Sequence, residues 1–150
     1  MKNIVITTDF SEASEAVLPK ALEIISGFKE TPKIHLITVL EDVTKANVQF
    51  EFGISLIDTT GLMEHAKKIA KEKLADICEK QFSELEVGTH VLSSTQAVHQ
   101  EIVKFAKNNN ADLILLGTHG RTGFEHMLLG SVAERVVQHS PCPTVVIPAK

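Results

Sequence analysis

Short apolar runs alternate with stretches of helical periodicity along this chain, and that alternation constrains the fold more than any single motif. A run such as Ala111 to Leu116, apolar at nearly every position, suits a strand buried on both faces. Parallel strands cannot be joined by tight hairpins, so the intervening segments must cross back over the sheet. The expected strands are Lys2 to Thr8, Lys33 to Leu40, Glu86 to Leu92, Ala111 to Leu116 ending at Gly117, and Pro143 to Ile147 framed by Pro141 and Pro148. Helical patterns occupy about Ser11 to Phe28, Asp58 to about Phe82, Ala97 to Lys107, and the residues from Ser131 onward. The order βαβαβαβαβ predicts an α/β fold with a parallel sheet and helices on both faces.

Local signals refine these elements. In the first helix Ala13, Ala16, Val17, Ala21, Leu22, Ile24 and Ile25 form an apolar face, and Pro19 should kink or interrupt it. In the second, Leu62, Met63, Ala66, Ile69, Ala70, Leu74 and Ile77 form a stripe read as core packing. Asn108, Asn109 and Asn110 terminate the third. Periodicity fails from Glu41 to about Ser55, the pattern of a lid, a contact loop or a poorly ordered segment. No repeat or linker divides the chain, so one domain spanning residues 1–150 is expected.

The fourth strand runs straight into Gly117-Thr118-His119-Gly120, and Gly130-Ser131 follows after nine further residues. Glycine takes positive φ and carries no side chain, so backbone amides beside it can close on an anion. Ser131 and Glu134 have capping-box spacing, which predicts a helix beginning at Ser131. The unpaired amides of Gly130, Ser131 and Val132 would then face a phosphate, the plain alternative being a capped turn. Asp9, at the end of the first strand, shares a crevice with Gly117 if strands one and four are neighbours. There it would hold ribose hydroxyls or a metal ion, or else cap its own helix with Glu12 three residues on.

Composition removes several classes of function. The formal net charge of −4 opposes nonspecific nucleic-acid binding, and with no Trp or Tyr there is no interleaved aromatic platform for bases. Lys67, Lys68, Lys71 and Lys73 alternate with apolar positions and read as a solvated helix face. Cys78 and Cys142, the only cysteines, make neither a CxxC motif nor a cysteine zinc site. No apolar stretch is long enough to span a bilayer or to serve as a secretory leader, so no membrane partner and a cytoplasmic setting are expected.

The runs Gly117-Thr118-His119-Gly120-Arg121-Thr122-Gly123, Leu128-Leu129-Gly130-Ser131-Val132-Ala133-Glu134 and His139-Ser140-Pro141-Cys142-Pro143, with the opening Thr7-Thr8-Asp9-Phe10-Ser11, closely resemble the universal stress protein family. The resemblance covers essentially the whole chain, and its Gly-x2-Gly-x9-Gly-Ser spacing is that of the ATP-binding members. It implies a three-layer α/β/α, Rossmann-like fold of the adenine nucleotide alpha hydrolase type, with strand order 3-2-1-4-5. ATP or another adenine nucleotide, accompanied by Mg, is the implied ligand. By position, the Val39 backbone would meet adenine and Asp9 the ribose; Gly117 and Gly120 would lie along ribose and phosphates. Gly130, Ser131 and Val132 would bind the phosphate chain, with Arg121 as a nearby cation or a solvent-facing residue. A homodimer through Pro143 to Ile147, possessed of an apolar edge, is also implied. The departure is Ser93-Ser94-Thr95-Gln96-Ala97-Val98-His99, a polar run where many relatives carry a glycine-containing turn.

Three functions compete at this stage: a nucleotide-binding stress-response regulator, a slow ATP-hydrolysing or phosphate-transfer enzyme, and a nucleotide-free dimeric scaffold for protein partners. Chemistry on the nucleotide would need a base or positioned water, and the Gly-x4-Gly-Lys-Ser/Thr loop is missing. His119 and His126 are titratable groups in and near the glycine segment, also readable as structural loop residues. No catalytic residue is assigned.

Overall fold

The computed structural model describes residues 1–42, 59–118 and 129–148. The chain runs β1 (Asn3–Thr7), α1 (Glu12–Glu15), α2 (Val17–Ser26), β2 (Lys33–Glu41), α3 (Thr59–Gln81), β3 (Val87–Ser94), α4 (Val98–Asn108), β4 (Leu113–Gly117), α5 (Ser131–His139) and β5 (Thr144–Ile147). All strand pairings are parallel, and the spatial order is β3-β2-β1-β4-β5. This is the five-stranded, three-layer arrangement expected from the alternation and the resemblance. After β3 the chain crosses β2 and β1 to place β4 on the other side of β1, so the strand order reverses between β1 and β4.

Side-chain alternation along the strands makes two cores, one per face. Ile4, Ile6, Leu36 and Leu115 pack beneath Val17, Leu18 and Ile25 of α2 and Leu74 of α3. Val5, Ile37, Ile114 and Leu116 pack on the opposite face beneath Ile102 of α4 and Ala133 and Val136 of α5. Each large side chain buried this way contributes roughly 1.5–3 kcal/mol. The second face also holds a polar pair: His35, only 4% exposed, lies with Nδ1 3.1 Å from Nε2 of His90, and Phe105 of α4 packs against both rings. Gly88 leaves room for that pair, since a Cβ there would stand 3.2 Å from the His90 Nε2.

Pro19 acts as expected, but one turn upstream of itself. The ring would meet the Glu15 carbonyl and has no N–H to give it. The helical segment therefore breaks at Ala16, between α1 and α2. The stripe on α3 is only half core: Ala70, Leu74 and Ile77 are buried, while Leu62 is 62% exposed and Ile69 40%. A helix of 23 residues spans about 34 Å, and its buried side chains Ala70, Leu74 and Ile77 all lie from its midpoint onward. The polar run after the third strand extends β3 to Ser94, whose carbonyl accepts from the Asp42 N–H at 2.8 Å, and the turn follows as Ser94 Oγ accepts from the Gln96 N–H at 3.1 Å. No helix among the described residues is long and apolar enough to cross a membrane.

Candidate functional site

The candidate site begins where β1 ends before its neighbours. Thr7 pairs with Ile37 and the Thr8 N–H donates to the Ile37 carbonyl at 2.9 Å, after which the chain turns away. β2 continues to Glu41, still paired with β3. In a parallel ladder one residue's N–H and C=O point to the same side and the next residue's to the other. Because Ile37 faces β1, Val39 also turns its peptide groups toward β1, beyond the point where β1 has left. The backbone of Val39 thus borders a gap at the carboxyl end of the sheet.

Asp9 sits where the chain leaves that gap. Its Oδ1 accepts from the Ser11 N–H at 3.0 Å and the Ser11 Oγ–H at 2.6 Å. Ser11 in turn caps α1, its Oγ accepting from the Ser14 N–H at 3.2 Å. The alternative role for Asp9, capping the helix with Glu12, is therefore not taken up; the cap lies two residues later. Phe10 makes the bend at φ 62°, a left-handed conformation that costs a side-chain-bearing residue roughly 1–2 kcal/mol. Three contacts hold it there. Its N–H donates to Thr8 Oγ1 at 3.1 Å, its ring packs against the α2–α3 core, and Lys73 Nζ lies 5.2 Å from the ring centroid. Beneath this turn the buried hydroxyls of Thr8 and Ser14 are 3.0 Å apart.

On the other side of β1, Gly117 closes β4 and pairs with Ile147. Thr118 donates to the Ile147 carbonyl at 3.0 Å, and the Gly130 N–H donates to the Thr118 carbonyl at 2.6 Å. The start and finish of the glycine segment are thereby pinned together, bringing Gly117 beside the first turn of α5. Gly120 and Arg121, with His119 and His126, lie outside the described residues, as does most of the Glu41 to Ser55 stretch.

The cap of α5 differs from the expected capping box. Gly130 is the N-cap, with φ −69° and ψ 154° and no side-chain cap hydrogen bond, and Ser131 is already helical. A serine at the first helical position cannot turn its hydroxyl back onto the third amide, so the Ser-x-x-Glu spacing goes unused. Glycine supplies no side-chain acceptor of its own to the first-turn amides, and Ser131 and Val132 are exposed among the described residues. A helix start of this kind carries partial positive charge, and among the described residues the Ser131 and Val132 amides have no hydrogen-bond acceptor, which suits an anion site.

Of the sequence-proposed residues, then, Asp9, Val39, Gly117, Gly130, Ser131 and Val132 all lie at the carboxyl end of the sheet, around the β1–β4 reversal. Two features escaped the sequence reading. One is the Thr8-Ser11-Ser14 hydroxyl set behind Asp9, which the Ser11-x-x-Ser14 spacing at a helix start could have signalled. The other is a cleft of about 280 Å³ bordered by Glu41, His99, Ser131, Val132 and Arg135, for which no local signal exists. A larger cleft of about 420 Å³, with Leu22, Phe28, Phe82 and Leu85 in its walls, lies at the opposite end of the sheet and includes none of the site residues. Burial holds the thiols of Cys78 and Cys142 above the usual cysteine range, which keeps them protonated. Among the described residues no three His, Cys, Asp or Glu side chains gather to hold a metal.

An open, doubly wound α/β sheet with a crevice at its order reversal and a glycine-capped helix start beside it defines the class, the Rossmann-like folds, in which ligands generally lie beyond the carboxyl ends of the strands. The chain belongs to the universal stress protein family, whose family model matches residues 1–148. It is 34% identical over 146 residues to universal stress protein MJ0531 of Methanocaldococcus jannaschii, covering 97% of this chain and 81% of that one. With universal stress protein MJ0577 of the same organism it is 30% identical over 156 residues, covering 99% of this chain and 96% of the relative. The solved MJ0577 structure superposes with a TM-score of 0.81 over 99% of this chain and 96% of its own. The same fold recurs in a universal stress protein from Archaeoglobus fulgidus solved with dAMP (TM-score 0.62, 22% identity, covering 98% of each chain). A further universal stress protein was solved with cAMP (TM-score 0.64, 18% identity, covering 99% of this chain and 98% of its own).

Proposed function

We propose that this protein binds an adenine nucleotide, ATP foremost, in the carboxyl-end crevice between β1 and β4, and that occupancy regulates its contacts with other chains. The observation that carries the reading is the glycine-capped start of α5, exposed and, among the described residues, without a side-chain acceptor, pinned to the end of β4. In this reading the Ser131 and Val132 amides take the phosphate chain, while Gly117, Gly120 and Gly130, the last with its own N–H held by the Thr118 carbonyl, let it approach the backbone. The Val39 peptide groups meet the hydrogen-bonding edge of adenine, and Asp9 accepts from the ribose hydroxyls. Arg121 supplies nearby positive charge. Mg²⁺ travels with the triphosphate, held by phosphate oxygens and water. The dAMP and cAMP complexes of family members support the ligand class.

The second half of the proposal concerns assembly. β5 is an edge strand, and Val145 on it is 37% exposed. A short apolar edge of this kind is a template for pairing with a second copy. A stress-response role in a cytoplasmic setting completes the proposal, supported by the family match alone.

The test is to denature purified protein, chromatograph any released small molecule, and titrate ATP, ADP and AMP into wild type and Gly130→Ala. The backbone at Gly130 suits alanine as well as glycine, so lost affinity would report the methyl group against the ligand and not misfolding. An adenine nucleotide should be retained or bound, with about tenfold weaker binding in the variant. Equal affinity in Gly130→Ala would sink the close approach, and no binding by wild type would leave the nucleotide-free scaffold as the better reading.

A further inference from the structure

The cleft beside α5 contains more charge than the proposed nucleotide site uses. Its walls come from three elements: Glu41 at the end of β2, His99 in the first turn of α4, and Ser131, Val132 and Arg135 on α5. Ser131 and Val132 belong to the proposed phosphate grip, and Arg135 stands one turn further along the same helix. The His99 ring lies 5.8 Å, centroid to centroid, from that of His139, which hydrogen-bonds through Nδ1 to the Arg135 carbonyl at 2.9 Å. Two helices thus bring three basic side chains together. Among the described residues the Arg135 guanidinium has no ion pair, and Glu41 is the single carboxylate bordering the cleft.

We infer that Arg135 and His99 form a cationic clamp for the outer phosphates of the bound nucleotide, so that this chain reads phosphate-chain length and reads it more sharply at lower pH. The inference rests on the nucleotide-binding reading and adds residues that the glycine pattern does not include. Arginine offers a planar, permanently charged fork to phosphate oxygens. His99 supplies the variable part. Burial, then the charges of His139 and Arg135, hold its pKa below the ordinary histidine value, so the empty clamp keeps it neutral near pH 7. A polyphosphate beside it favours the imidazolium and draws a proton from solvent on binding. The charged groups around His99 are Arg135 and His139 from α5 and, across the cleft, Glu41 from β2; Glu101, two residues on along α4, points away and pairs with Lys104. AMP, whose single phosphate is taken up by the α5 amides, does not reach the clamp.

The test titrates ATP and AMP into the full chain at about pH 6 and about pH 8, for wild type, Arg135→Gln, His99→Gln and Glu41→Gln. Wild type should prefer ATP, and more strongly at the lower pH, with proton uptake seen as a dependence of binding heat on buffer ionisation enthalpy. Arg135→Gln should narrow the ATP to AMP ratio by roughly tenfold while AMP affinity stays within about twofold. His99→Gln should abolish the proton uptake and flatten the pH dependence, and Glu41→Gln should tighten ATP alone. A wild type that binds ATP and AMP in a ratio that neither Arg135→Gln nor His99→Gln alters overturns the clamp by itself. A wild type that binds neither nucleotide overturns the clamp together with the reading beneath it.

Discussion

Phe10 shows how a single residue serves the site at a cost to itself. Its left-handed backbone turns the chain just after Asp9, and the ring's packing with Lys73 above it offsets the strain. Replacement by alanine keeps the strained φ but loses the packing, so Phe10→Ala should destabilise by about 2–4 kcal/mol, whereas Phe10→Gly should recover roughly 1 kcal/mol of that loss. Urea unfolding of both variants checks the ordering, and equal stabilities would refute it. The His35–His90 pair makes a second prediction. Both pKa values lie below the histidine norm, through burial first, then, for His35, the His90 charge, and for both the neighbouring Lys33 charge. The unfolded chain therefore binds protons before the folded one does. Their contribution to stability is complete above the unfolded histidine pKa of about 6.5 and is lost as pH falls below it. Unfolding curves at successive pH values should show that decline, reduced in His35→Gln; an unchanged decline would assign it to other groups.

Among the elements, α4 ends as its asparagines suggest, by a mechanism only the backbone reveals. Asn109 is the C-cap, Asn110 follows at φ 48°, the Asn110 N–H donates to the Lys107 carbonyl at 3.2 Å, and the Ala111 N–H donates to the Ala106 carbonyl at 2.9 Å. That is a Schellman closure with asparagine in the left-handed position. Asn110→Ala should cost about 1 kcal/mol and Asn110→Gly none, read from thermal melts. A glycine variant as unstable as the alanine one would show that the asparagine side chain, and not its φ, matters. The start of α5 carries the opposite lesson. Ser131 and Glu134 have capping-box spacing, and the helix does begin at Ser131, yet its cap is Gly130, one residue before the capping-box serine, held by its N–H to the Thr118 carbonyl. The sequence signal located the helix correctly and misassigned its cap.

For the whole molecule, the sheet leaves β3 and β5 as edges. If β5 pairs with a second copy, Val145→Lys should give a monomer of unchanged fold, measured by sedimentation with circular dichroism as the control. A dimeric variant, or a monomeric wild type, would remove β5 as the interface. The order of the strands also explains why the proposed site residues share one end of the sheet. Asp9, Val39 and Gly130 are remote in sequence and come to the same end of the sheet because β1 ends early between two strands that run past it. What the sequence by itself determined was local: strand and helix identity, parallel pairing through crossovers, the break before Pro19, and glycines at the end of a buried strand. Each depends on residues within a turn or a run of one another, where covalent geometry and periodicity act directly. Tertiary structure alone decided which peptide groups β2 turns to the gap, which residue caps α5, and that His99 and Arg135 border one cleft. Those depend on how remote faces pack, and a strand's side chains do not encode which rung its neighbour will leave bare.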